Sequence, residues 1–363
     1  FLKGTGKTIA VPDNYQTIQE AVNHARNGDI ISVEPGTWVG GFSGIVVVVD
    51  KSITISSKNP DDPCCVAATI IDGSGNNVGI RFTSQTDAKT VLNGITIQNC
   101  GLTFADSSDG DRDNGHPNGF DGTPGEGGAI YVENGGGPTI KNCLIRNNSV
   151  TGGNGGNGEN ADDTANAGRG GWAGWAHGGA IWCGPGSTPK FINCIIEGNV
   201  ATGGNGGDGG AADTGSANYG GNWSRSQVTY YNPNNLDVGF TNGNLWEVLV
   251  WDFAGTYGPI YSEPNLTSFL GDYSLYSGLG GGVYCDQASI VTFEHCQISN
   301  NSTAGGVSGI GGDGLEPQQA FEAPTHGGGV YCAAESRVTF RECTFENNTA
   351  SEVAAGVTPN YRL

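Results

Sequence analysis

GGAIWCGPGSTPKFINCIIEGN, residues 178–199, returns along the chain with its internal spacing unchanged, and that repetition sets the architecture. GGAIYVENGGGPTIKNCLIRNN starts 51 residues earlier at Gly127, GGGVYCDQASIVTFEHCQISNN starts at Gly280, and GGGVYCAAESRVTFRECTFENN starts at Gly327. No gap is needed inside any copy. Each reads as three short β segments: AIWC or GVYC, then one centred on Ile140, Phe191, Phe293 or Phe340, then a Cys-x-Ile/Phe segment that ends three residues later on Asn. Apolar residues alternate within a segment and lose step at a turn. A unit this small has nothing of its own to bury its inward face against, so it must stack on its copies, which is the mark of a solenoid.

These copies resemble the rungs of a right-handed parallel β-helix. GGAI at 127 and 178, with FENNTA at 345, is similar to the GGAI and FxxN repeats of polymorphic outer-membrane adhesins. The resemblance implies an all-β, pectate-lyase-like fold over one domain, 1–363. It also implies that Asn148, Asn199, Asn301 and Asn348 stack inside a turn as a structural ladder. There each amide would bond backbone groups that the bend leaves unpaired.

The chain has 363 residues, 64 of them Gly, with 14% charged residues and a net charge of −20, which suits one elongated solenoid better than several globular domains. No apolar run is long enough to span a membrane. The absence of Met suggests a mature chain whose signal sequence has been removed. Excess acid argues against nucleic acid or an anionic membrane surface as partner. Ten cysteines point to an oxidising, extracellular setting.

In three rungs two cysteines stand eleven residues apart: Cys183 and Cys194, Cys285 and Cys296, Cys332 and Cys343. Both positions alternate with outward neighbours, so both face the interior. A disulfide within each coil is the favoured reading, against reduced thiols acting as small core hydrophobes. Cys143 lacks the first partner because Val132 stands there, and Cys64, Cys65 and Cys100 are left unpaired by sequence.

Residues 1–29 read as an opening strand followed by a capping helix. Thr17 and Glu20 form a capping box, and Ile18, Ala21, Val22 and Ala25 share one helical face. The first coils occupy 30–100, where Ile45–Val49 and the apolar residues Ile80, Phe82, Leu92, Ile95 and Ile97 trace strands and Cys100 replaces the Asn. The count predicts six or seven coils. After the last rung no amphipathic helix matches the one at 17–26, which leaves the final coil without a cap.

All insertions leave the coil after the Asn and before the next Gly-Gly, so they emerge on one side as a second layer. Segments 101–126, 151–177 and 305–326 are rich in Gly, Asn and Asp; their composition fits disorder, or loops packed side by side as polyglycine-like strands. The insertion at 202–279 is aromatic-rich, and NLWEVLVWDF at 244–253 reads as a strand. Its flanking rungs lie 102 residues apart, twice 51, which leaves room for a hidden degenerate coil.

Three chemistries are in view. Asp109, Asp111 and Asp113 alternate before a turn and Asp121 follows, a set that fits either calcium or a solvated acidic turn; Phe120 holds the twelfth position, so the spacing is not an EF-hand. Before the double glycine stand Glu126, His177, Leu279 and His326, which makes Glu126 and His177 a possible stacked acid–base or metal pair, or simply turn residues. Trp172, Trp175, Trp246 and Trp251, all on insertions, are candidate ligand-binding residues through sugar stacking or subunit contact.

Carbohydrate chemistry has weak support. The pairs Asp61-Asp62 and Asp162-Asp163 fall in turns or loops, and the outward cations Lys141, Arg146, Lys190, Arg337 and Arg341 are scattered. The expectation is therefore a secreted structural protein at the cell surface or outside it, non-catalytic, self-associating head to tail or adhesive. A polysaccharide lyase or related β-helix enzyme is the alternative. Six Asn-x-Ser/Thr sequons, Asn222 and Asn265 among them, permit glycosylation, and glycans are candidate partners.

Overall fold

A computed structural model describes residues 6–40, 44–160, 168, 170–210, 278–306 and 325–350, together with the backbone of Val228–Tyr230 and Val248–Val250. The protein is an all-β parallel solenoid. One turn runs Lys190–Ile192, Ile195–Glu197 and Val200–Thr202, then after an insertion Gly278–Leu279 and Val283–Cys285. These strands belong in turn to an eight-, a seven-, a five-, a three- and a six-stranded sheet, whose pairings are all parallel. With strands about 4.8 Å apart, eight of them make a stack about 34 Å tall.

The three expected segments per rung are therefore strands, and the register keeps equivalent residues opposite one another: Ile140, Phe191, Phe293 and Phe340 form one inward column. Phe191 and Phe293 stack at 4.9 Å and are fully buried. Cys183 pairs directly with Cys285, so the rungs at 178 and 280 are neighbours and no coil lies hidden between them. The 102-residue spacing reflects one long insertion. Its segment Val248–Val250 is a strand, paired antiparallel with Val228–Tyr230.

Loss of step in the hydrophobic pattern has a backbone cause. Asn142, Asn193, His295 and Glu342 (φ 52–54°) bend each coil between the eight- and seven-stranded sheets. Asn99, Asn147, Asn300 and Asn347, with Gly198, bend it again after the seven-stranded sheet. Left-handed φ is uncommon outside Gly and falls most easily to Asn, whose recurrence here follows from that tolerance. The next residue in the second bend is the ladder asparagine. Asn148 donates through Nδ2 to Asn199 Oδ1, Asn199 to Asn301 and Asn301 to Asn348, each at 2.9 Å.

The opening helix is Ile18–His24, with both halves of the Thr17–Glu20 capping box made. It buries Ile18, Ala21 and Val22 beside Ile45–Val49, the first strand of the six-stranded sheet, and so covers that end of the core. A second short helix, Pro63–Ala68, carries Cys64 and Cys65; Asp62 caps it through Cys64 N at 3.0 Å.

The disulfides expected within coils are not formed: all ten cysteines are free. Cys183 lies on the six-stranded sheet and Cys194 at the bend into the seven-stranded one, on different walls of the coil. Their nearest sulfur neighbours lie along the stack. Each buried thiol is influenced by its register neighbours, Cys285 by Cys183 and Cys332 and Cys194 by Cys143 and Cys296.

Candidate functional site

The insertion layer departs most from an ordinary solenoid. Segment 152–160 reads GGNGGNGEN and 203–211 reads GGNGGDGGA, a period of three. The structure gives each place in the triplet one role. Gly152, Gly155 and Gly158 donate to Thr202, Asn205 and Asp208 carbonyls at 2.7–2.9 Å, joining one insertion to the equivalent leg of the next. Gly153, Gly156 and Glu159 donate at 2.9 Å to Thr123, Phe120 and Pro117 carbonyls on a returning leg that runs the other way. The third place faces out and is polar: Asn205 N donates to Asn154 Oδ1 and Asp208 N to Asn157 Oδ1. Three residues per turn with all backbone bonds passing to neighbours is polyproline II geometry, here in its glycine-rich form. Outgoing and returning legs make two layers of it. Glycine is required by proximity, since a Cβ on Gly153 would collide with the Ala105 carbonyl oxygen and one on Gly156 with that of Ser108.

The acidic candidates lie within this layer. Asp109 Oδ1 accepts from Asn157 N at 2.7 Å, and Asp121 Oδ1 from Trp172 N at 3.0 Å. Asp111 holds a local turn, accepting from Asn114 N at 3.2 Å and Asn114 Nδ2 at 2.6 Å. Asp113 is exposed. Among the described residues no three His, Cys, Asp or Glu side chains are grouped to hold a metal ion. Trp172 and Trp175 are half-buried on one returning leg, three residues apart and hence on the same side of a three-fold helix. Trp246 and Trp251 lie outside the described residues.

Register does place Glu126 opposite His177. Each, however, is engaged by a ring rather than by the other. His177 stacks on Tyr284 at 4.2 Å, nearly parallel, and Glu126 Oε2 accepts from Tyr131 Oη at 3.4 Å. Tyr131 in turn stacks on Trp182 at 4.4 Å. Burial, then the neighbouring Asp286, raises the Glu126 carboxyl, while burial alone lowers His177 to about 3. Neither ionisation leans on the other, so the pair is an element of packing. Sequence reasoning missed Tyr131 and Tyr284 as their partners and Trp182 behind Tyr131, although alternation places all three outward on the six-stranded sheet.

Three of the five outward cations are likewise engaged. Lys190 and Arg341 both bind Glu294 at 2.8 Å, holding its carboxyl below the usual range, and Arg146 Nη2 donates to Gln98 at 3.0 Å. Asp62 is a helix cap, and Asp162 and Asp163 lie outside the described residues. Comparison with protein-family models, characterised proteins and solved structures returns no match to this chain.

His177 makes acid sensitivity predictable. The unfolded chain takes up its proton near pH 6.5 and the folded chain only near pH 3, so this contribution is complete above pH 6.5 and is lost as pH falls. The slope is about 1.4 kcal/mol per pH unit between those values. His177→Phe, which keeps the ring stack, should flatten the melting-temperature profile between pH 6.5 and 4 relative to the parent. Parallel profiles would contradict the assignment.

Proposed function

We propose that the chain is a non-catalytic extracellular structural subunit that associates head to tail, on a right-handed β-helix related to surface adhesins. The last described coil carries the argument. Phe293 and Ile298 are fully buried, whereas their register equivalents one coil on, Phe340 and Phe345, are 40% and 48% exposed. With Val330 and Cys332 they line an open concavity of about 430 Å³. The opposite end of the core is covered by Ile18–His24. Burying the two rings against another copy contributes about 3–5 kcal/mol before association entropy is subtracted.

The charge of −20 makes copies repel, so assembly should strengthen with salt, which screens exposed like charges. The reading assigns 351–363 and the 202–279 insertion to the interface; 211–227, 231–247, 251–277 and 351–363 lie outside the described residues. Trp172 and Trp175 are where a glycan would stack. The proposal does not call on calcium; Asp109 and Asp121 each accept a backbone N–H through Oδ1.

Electron microscopy and sedimentation at rising protein and salt concentration test it. Filaments or oligomers are expected for the parent, and Phe340→Glu with Phe345→Glu should give a folded monomer under the same conditions. Deleting 351–363 should do the same. A parent that stays monomeric at high concentration removes the filament reading.

A further inference from the structure

Seven of the ten cysteines fall into two columns along the solenoid, and one column runs from the interior to an exposed position. Cys183, Cys285 and Cys332 stand opposite one another in successive strands of the six-stranded sheet. Cys183 and Cys285 are buried, while Cys332 is exposed and belongs to the strand Val330–Cys332, paired on one side only. Strands about 4.8 Å apart place in-register Cα atoms inside the roughly 4.4–6.8 Å window that a disulfide spans.

We infer that Cys285 and Cys332 form a cross-coil disulfide when the protein meets a small disulfide oxidant. The interior pair is not equivalent. Cys183 and Cys285 are shielded from an oxidant, and both their strands are paired on both sides, whereas the strand of Cys332 has a free edge and can shift toward Cys285. The second column is less poised as well, because the Cys343 thiol points to the Phe293 and Arg341 carbonyls at 3.5 and 3.3 Å.

The chemistry is two exchanges. The Cys332 thiolate attacks the oxidant RSSR, forming a Cys332 mixed disulfide and releasing RS⁻. Cys285 then attacks Cys332 Sγ, forming the protein disulfide and releasing a second RS⁻, and the protons lost by the two cysteines end on the two RSH molecules. The neighbouring Cys285 thiol, reinforced by burial, keeps the Cys332 thiol protonated above the usual range, so the exchange should accelerate as pH rises.

The test uses the full chain and oxidised glutathione. Non-reducing peptide mapping at pH 8, at a concentration where the protein is monomeric, should show a Cys285–Cys332 link, read on the peptides that carry these two thiols because Cys64 is exposed as well. Cys332→Ser, at an exposed position, should abolish that link. Cys285→Ser should leave the Cys332 peptide as a glutathione adduct. A stable adduct on Cys332 in the parent, a Cys332–Cys343 link, or a link between two chains would each overturn the inference. At that concentration no second copy covers Cys332, so a failure here leaves the assembly proposal standing.

Discussion

Asn199→Ala is expected to cost about 3–5 kcal/mol, among the largest effects available to a single substitution in this chain. Asn199 is fully buried, and its side chain makes four bonds. Oδ1 accepts from Asn148 N at 3.0 Å and Asn148 Nδ2 at 2.9 Å; Nδ2 donates to the Ile145 carbonyl at 3.1 Å and to Asn301 Oδ1 at 2.9 Å. Alanine removes all four and leaves a buried backbone N–H, a buried carbonyl and half an amide without partners. Each orphan costs about 1–3 kcal/mol, and the sum is held below simple addition because the coil can relax. Asn348→Ala serves as comparison. It is half-buried at the end of the same column, so the groups it frees are closer to water and the loss should be smaller. Urea denaturation of both variants checks the order. Equal costs, or a cost under about 1 kcal/mol for Asn199→Ala, would mean the ladder is incidental.

The column was legible because a residue of one type returned at one place in every rung, and buried amides at such a bend have one good use. Strand order and the inward column from Ile140 to Phe340 were legible for the same reason. Cysteine pairing was not. Eleven residues of chain carry Cys183 from one wall of the coil to Cys194 on another, while 102 residues return it to Cys285 directly alongside. Proximity in a solenoid follows the rung length and its insertions, so counting within a rung gives the wrong neighbour. The short strands Val200–Thr202 and Ala176–His177, at the mouth of the insertions, carry too few residues to show any period.

The insertion layer held a readable signal at a different period. Asp109, Asp111 and Asp113 suggest alternate residues converging on an ion, yet the spacing that the structure uses is three. Asp106 accepts from Asn154 N and Asp109 from Asn157 N, and the columns continue to Asn205 and Asp208. Gly-Gly-Asn triplets at 152–157 and 203–205 carry that period openly. Composition alone could not separate them from a disordered tract, because the same glycines that loosen an isolated chain are what allow backbones to touch in a bundle.

Gly156→Ala distinguishes those two roles of glycine by the sign of its effect. Gly156 is not among the glycines of positive φ, so alanine can adopt its backbone conformation. If the segment were loosely packed, alanine would stabilise the protein by about 0.4–1 kcal/mol, by reducing the freedom of the unfolded chain. Packing predicts the opposite. Gly156 N donates to Phe120 O at 2.9 Å and Gly156 O accepts from Gly171 N at 2.8 Å, which fixes it between two returning legs. The new methyl would meet the Ser108 carbonyl, and every atom in its way is backbone, with no flexible side chain to yield. The legs must separate, and bonds on both sides weaken together, for a cost of about 2–3 kcal/mol. Asn154→Ala, two residues earlier on the outward face, removes one bond to Asn205 N and should cost about 1 kcal/mol or less. Hydrogen exchange adds a local readout: in Gly156→Ala the amides of Gly153, Gly171 and Gly174 should lose protection while those of the Asn148–Asn199 ladder keep theirs. A melting temperature at or above the parent's, with protection unchanged, would show that the glycine bundle is not close-packed.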